Sequence, residues 1–209
     1  MIEATSPGSA PRLSVRNLAS RFAGGFNFDV GPGECVVIQG ASGAGKSVLL
    51  RMLADLDPHT GTMSLDGQSA DDMAPTTWRA RVIYQPAEPA WWETVAAQHF
   101  SPAQLEQVRT MLPAVGLDGH ALDTDITQLS TGERQRLALL RSLVGKPDVL
   151  LLDEPTAALD PATVAQVESL LQSFLARGMS LLVVTHSPEQ AKRLAHRIWY
   201  MEEGTLKQQ

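Results

Sequence analysis

Apolar and polar positions follow two rhythms along this chain. Leu13-Ser14-Val15-Arg16 and Phe26-Asn27-Phe28-Asp29-Val30 alternate strictly, which predicts strands with one face buried. Cys35-Val36-Val37-Ile38, Val149-Leu150-Leu151-Leu152 and Leu181-Leu182-Val183-Val184 are unbroken apolar runs, as expected of parallel strands covered on both faces. Helical periodicity appears over 48–56, 102–112, 129–144, 161–176 and 188–195. Gly31-Pro32-Gly33-Glu34 and Asp57-Pro58-His59-Thr60-Gly61 are breaks. Residues 62–67 read as an edge strand plus turn, and Val82-Ile83-Tyr84 as a short strand ended by Pro86 and Pro89. Ile198-Trp199-Tyr200-Met201 and Thr205-Leu206-Lys207 close as a hairpin around Glu203-Gly204. The expected fold is α/β: one domain over 12–209 with a mostly parallel core, an antiparallel β part near the start and a small helical insertion over about 86–145. Residues 1–11, rich in Ser, Pro and Gly, read as a disordered leader.

Composition narrows the function classes. The chain has 209 residues, 44% hydrophobic and 19% charged, enough apolar material for a sizeable core. A net charge of −6 disfavours a nucleic-acid backbone as main partner, and none is expected. The single Cys35 allows no intrachain disulfide and fits a reducing compartment. No run approaches the roughly 18 apolar residues of a membrane span. A cytoplasmic location is expected.

The chemistry concentrates after the strand at 35–38, in Gly40-Ala41-Ser42-Gly43-Ala44-Gly45-Lys46-Ser47. Strand, glycine-rich loop and helix is the context of a P-loop. Small residues let successive backbone N–H groups converge on one anion at the helix N-terminus. Lys46 would reach the outer phosphates, and the Ser47 hydroxyl would ligate Mg²⁺. A second cluster, Asp153-Glu154-Pro155, ends the apolar run at 149–152. Acids at the carboxyl end of a buried parallel strand share the ligand side of the sheet with the P-loop. Asp153 can hold Mg²⁺ through water, and Glu154 is free to orient or deprotonate an attacking water.

With these motifs in order, the chain over 12–207 resembles the ATP-binding cassette (ABC) ATPases. Leu129-Ser130-Thr131-Gly132-Glu133 matches their signature loop, usually Leu-Ser-Gly-Gly-Gln; Ala158-Leu159-Asp160 matches the D-loop; His186 matches the switch histidine. Taken singly these patterns have plainer readings. Ser130 and Glu133 form a capping box, Asp160-Pro161 an N-cap with proline at the first helical position, and His186 a strand-end histidine. The resemblance implies an ATP-hydrolysing subunit of a membrane transporter with ATP and Mg²⁺ as ligands. It implies catalytic roles for Lys46, Glu154 and His186, and a head-to-tail pair in which Ser130, Thr131 and Gly132 of one copy cover the P-loop nucleotide of the other. The second cassette is a further copy or a related chain. Separate permease subunits would place the protein at the cytoplasmic face of a bacterial inner membrane.

The sequence departs from the family at several positions. Thr131 stands where glycine is usual and Glu133 where glutamine is common. Gln85 has the identity of the Mg²⁺-sensing Q-loop residue, but aligning on Tyr84 and Pro89 puts Ala87 there instead. Phe22 is the candidate for stacking on adenine, with a loop ring tucked into the core as its alternative. Trp91 and Trp92 are candidates for a groove that receives a helix of the membrane partner. The helical insertion is short, and the sequence around Leu129 to Arg141 looks most like the compact cassettes grouped with bacterial iron-export and metal-tolerance ATPases. A haem-export cassette, a soluble ABC ATPase acting on DNA or ribosomes, and a small-molecule P-loop kinase are the competing readings.

Overall fold

The computed structural model describes residues 10–208, so residues 1–9 of the expected leader lie outside the described residues. Its core sheet contains β3 (Cys35–Gly40), β6 (Val82–Gln85), β7 (Val149–Asp153), β8 (Ser180–Val184), β9 (Arg197–Glu202) and β10 (Thr205–Gln208). They run in the order β10-β9-β3-β8-β7-β6, parallel except for β10, which returns antiparallel on β9. Glu203 and Gly204 turn that hairpin at φ 46° and 72°, the two left-handed positions of a type I′ turn.

Successive side chains on a strand point to opposite faces, so each unbroken apolar run feeds two cores. Cys35, Val37, Leu150, Leu152, Leu181 and Val183 fill one; Val36, Ile38, Val149, Leu151, Leu182 and Val184 fill the other. Burial of each such side chain stabilises by about 1.5–3 kcal/mol. The first face is covered by α5 (Thr131–Val144), α6 (Pro161–Leu175) and α7 (Pro188–Leu194). The second is covered by α1 (Lys46–Leu53) and by a separate antiparallel sheet of β1 (Leu13–Ala19), β2 (Phe26–Val30), β4 (Thr60–Leu65) and β5 (Gln68–Ser69).

That sheet has the order β2-β1-β4-β5, which corrects the placing of the 62–67 segment at an edge. β4 pairs with β1 on one side and with the two-residue β5 on the other, because Asp66 and Gly67 (φ 51° and 81°) fold the chain back at once. A square of ion pairs ties this sheet to the core: Arg12 to Asp66 (2.8 Å) and Asp148 (3.3 Å), Arg81 to the same two acids at 2.8 and 2.6 Å. Arg81 ends α2 (Pro75–Arg81), a helix the apolar pattern does not announce. Its one buried side chain is Trp78, which is 1% exposed and donates its indole N–H to Leu53 O at 2.9 Å. Between β6 and β7 the chain forms α3 (Pro102–Met111), α4 (His120–Asp123) and α5, joined by short 3-10 turns.

Candidate nucleotide site

Residues 40–45 join β3 to α1 with three glycines at positive φ: Gly40 at 145°, Gly43 at 78° and Gly45 at 104°. A β-carbon on Gly40 would lie 2.2 Å from Met201 O on the neighbouring strand, so no other residue fits. The loop leads into a helix N-terminus that, like that of α2, carries no side-chain cap. Ser101, Ser130, Asp160 and Ser187 cap α3, α5, α6 and α7 with side-chain oxygens, whereas α1 has no side-chain cap and no acid in its first turn. Its first N–H groups are left for an external anion, and no carboxylate competes with a phosphate there.

Lys46 is buried, and its ammonium donates to Gly40 O and Ala41 O, both at 2.8 Å. Burial lowers its pKa, opposed by the charges of Glu154 and Asp153, so all three side chains share one electrostatic environment. Asp153, at the end of β7, is 8% exposed and accepts the Tyr84 hydroxyl at 3.2 Å. Burial, and then Asp153, pushes the Tyr84 pKa up, so Tyr84 stays a neutral donor. Tyr84 belongs with the site, and the linear sequence hides it; only the pairing of β6 with β7 brings it there. Ser47 is exposed in the first turn of α1. No group of three or more His, Cys, Asp or Glu side chains able to hold a metal occurs among the described residues. A hard cation here would therefore take Ser47 and Asp153 together with phosphate oxygens and water, as Mg²⁺ usually does.

Glu154 follows with its backbone in the left-handed region (φ 49°), where a residue with a β-carbon is disfavoured. Its N–H donates to Val184 O at 2.9 Å, which ties it to the next strand. Its Oε1 is buried without a hydrogen-bond partner and lies 3.4 Å from His186 Nε2. Burial raises the Glu154 pKa, and His186 partly offsets this. A half-buried carboxylate with one oxygen unspent is suited to accept a proton from water. His186 itself is more than half exposed and open to a ligand.

Gln85 ends β6 beside α5. It is 3% exposed; its Nε2 donates to Gln135 O and its Oε1 accepts from Ser142 Oγ, both at 3.4 Å. In this structure the amide is turned toward α5. Ala87 offers no polar side chain, and its carbonyl is held by Gln135 Nε2 at 2.9 Å. Phe22 is 68% exposed with the Arg21 guanidinium 4.5 Å from its ring, which rules out the core alternative. Its loop lies against the P-loop: the β-carbon of Ala23 is 3.3 Å from where one on Gly45 would be.

Ser130 caps α5 in a full box. Its Oγ accepts from Glu133 N at 3.2 Å, and Glu133 Oε2 accepts from Ser130 N and Oγ at 2.8 and 2.7 Å. Thr131 is exposed, and Gly132 lies against the loop of Ala158 and Leu159. Asp160 accepts from Ala162 N, Thr163 N and Thr163 Oγ1, so within one chain it acts as the cap of α6. Trp91 packs on the core while Trp92 is 69% exposed. Arg141 lies 4.4 and 4.9 Å from the two rings, and burial lowers its pKa.

A family model described as ABC transporter matches residues 23–157. The chain belongs to the ABC transporter ATP-binding family. It binds ATP and hydrolyses it, as that family does. The chain is 38% identical to an aliphatic sulfonates import ATP-binding protein of Agrobacterium fabrum, over 97% of this chain and 80% of that protein. It is 39% identical to a Nod factor export ATP-binding protein of Paraburkholderia xenovorans, over 86% and 62%. A dimeric ATP-binding cassette bound to ADP and Pi in a post-hydrolysis state shares the fold, with TM-score 0.83 and 24% identity over 94% of this chain and 98% of that one. No helix among the described residues is long and apolar enough to cross a membrane.

Proposed function

We propose that this cassette closes head to tail with a second copy or a related cassette around ATP and Mg²⁺, and that closure drives substrate movement through separate membrane-spanning subunits at the cytoplasmic face. The observation that carries the reading is the half-built site. Lys46, Asp153, Glu154 and His186 gather at one end of the core sheet, while Ser130 and Thr131 open α5 on the exposed surface. In this reading Lys46 neutralises the outer phosphates, Ser47 and Asp153 hold Mg²⁺, and Glu154 takes the proton of the attacking water. His186 orients the γ-phosphate, and Phe22 stacks on adenine.

Glu154→Gln keeps the shape but accepts no proton, so hydrolysis should fall roughly 10²–10⁴-fold. ATP then persists, and size-exclusion chromatography should show a dimer with ATP, none with ADP, and none after adding Ser130→Arg. A monomer under every nucleotide condition, with or without the membrane partner, overturns the reading.

Trp91, Trp92 and Arg141 form the surface proposed for the membrane subunit. Replacing both tryptophans by alanine should abolish partner binding and leave the basal ATPase. For cargo, the sequence around Leu129 to Arg141 supports iron or metal export, with haem export, whose cassettes are similarly small, beside it. The 38% identity to a sulfonate-import protein over nearly the whole chain supports a second reading, a small organic anion. Stimulation of the co-purified complex by iron, haem or an alkanesulfonate distinguishes them.

A further inference from the structure

We propose that Gln190 is a positioning residue for hydrolysis: it joins the turn after Glu154 to the turn after His186 and so fixes the spacing of the two side chains. The inference rests on the reading of Glu154 as the base. A Glu held at φ 49° keeps that conformation only where its surroundings over-determine it. On one side Val184 O takes its N–H. On the other, two residues along, Thr156 Oγ1 accepts from Gln190 Nε2 at 2.9 Å.

Gln190 is 1% exposed on the first turn of α7. Its backbone N–H donates to Ser187 Oγ at 3.2 Å, and Ser187 N donates to Thr185 Oγ1 at 3.1 Å, so the residues flanking His186 are both fixed. The anchor behind Gln190 is Glu168, 4% exposed, which takes Arg193 Nε and Nη2 at 2.6 and 2.8 Å and lies 3.4 Å from Gln190 Nε2. A carboxylate only accepts, so it sets the amide orientation: Nε2 faces Glu168 and Thr156, and Oε1 is left over.

That Oε1 is buried and unpartnered, in a residue that lines a cleft of about 890 Å³ also bordered by Glu154 and His186. A buried amide with an unmet acceptor costs stability at that oxygen. Its bond to Thr156 gives it a positional role. Geometry of this kind acts on the chemical step, because misplacement by about 1 Å can cost up to 10²-fold in rate.

The test compares Gln190→Leu, Thr156→Val, Thr156→Ser and the Gln190→Leu/Thr156→Val pair in the full chain, with Glu154→Gln as control. Gln190→Leu and Thr156→Val should each lower kcat by about 10- to 100-fold, with KM and ATP affinity within about twofold, since neither residue touches the P-loop. Thr156→Ser, which keeps the hydroxyl, should retain most of kcat. The pair should be no slower than the worse single variant, because both break one link. A Gln190→Leu kcat within about twofold of wild type, a loss carried by KM, or multiplicative effects in the pair overturn the proposal. If Gln190→Leu does not fold, Thr156→Val at the half-buried end of the same bond decides alone. A fully active Glu154→Gln removes the base reading and this proposal with it. An inactive Glu154→Gln beside a normal Gln190→Leu removes the proposal only.

Discussion

Gly132 lies so close to Leu159 that a β-carbon on it would be 3.0 Å from Leu159 Cδ2 and 3.2 Å from Ala158 O. The start of α5 is thus backed by the loop that leads to α6, and movement of one is felt by the other. Gly132→Ala should keep the fold, because the gain in helix propensity, up to about 1 kcal/mol, opposes the crowding. The added methyl has to push on a flexible leucine tip and on a backbone carbonyl, which tilts the exposed turn of α5. Melting temperature should change little, while the ATP-induced dimer of the Glu154→Gln background weakens. Equal dimer affinity with and without Gly132→Ala would show that the contact carries no coupling.

Glu154 gives a pH prediction with a definite sign. Burial raises its folded pKa above the ordinary glutamate value, so the folded state holds its proton more tightly than the unfolded chain. Stability from this group is present below the unfolded pKa and is lost as pH rises through the folded pKa. At pH 7 the ionised carboxylate therefore costs stability, and Glu154→Gln should melt higher than wild type without nucleotide. The difference should shrink as the pH is lowered and vanish once the carboxyl is protonated in both states. A pH-independent difference in melting temperature, or a variant less stable at pH 7, would contradict it.

The core and the P-loop were legible because they depend on local signals. Cys35–Ile38, 149–152 and 181–184 are apolar on both strand faces, and Gly40, Gly43 and Gly45 sit where positive φ is required. What stayed hidden depends on contacts that no periodicity marks. The 62–67 strand reads as an edge until the two-residue β5 folds onto it. α2 is only seven residues long, and its one buried side chain, Trp78, reaches Leu53 O, 25 positions away. Gln85 has a suitable identity for a metal ligand, yet its partners on α5 lie 50 and 57 residues away and claim both ends of its amide.

Those partners give Gln85 a structural role that can be checked. Gln85→Ala removes one of the polar groups joining β6 to α5 and leaves Ser142 Oγ with its remaining bond to Ala138 O. Loss of a buried hydrogen-bonded pair costs about 1–3 kcal/mol, which should appear as a lower denaturation midpoint. The Mg²⁺ concentration that half-activates hydrolysis should be unchanged. A large rise in that concentration with stability unaltered would mark Gln85 as a metal-sensing residue.

Glu133 sets stability against closure at a single position. Its carboxylate holds Ser130 through two bonds, and these bonds, the one from the Ser130 hydroxyl first, hold its pKa below the usual glutamate value, so it is charged at neutral pH. Within one chain that charge sits well at the positive end of α5, where a carboxylate contributes about 0.3–1 kcal/mol. In the closed pair the same helix end would meet the γ-phosphate of the second copy, and two anions would then share one set of N–H groups. Glu133→Gln keeps the acceptor oxygen for Ser130 and removes the charge. The isolated chain should lose a little stability at pH 7, and the loss should fade at low pH, because a depressed pKa contributes only above the unfolded value. The ATP-bound pair in the Glu154→Gln background should tighten, by about fivefold for each kcal/mol of repulsion removed, and more at low salt than at high. Weaker pairing in Glu133→Gln at every ionic strength would mean that the carboxylate acts through its hold on Ser130 and not through its charge.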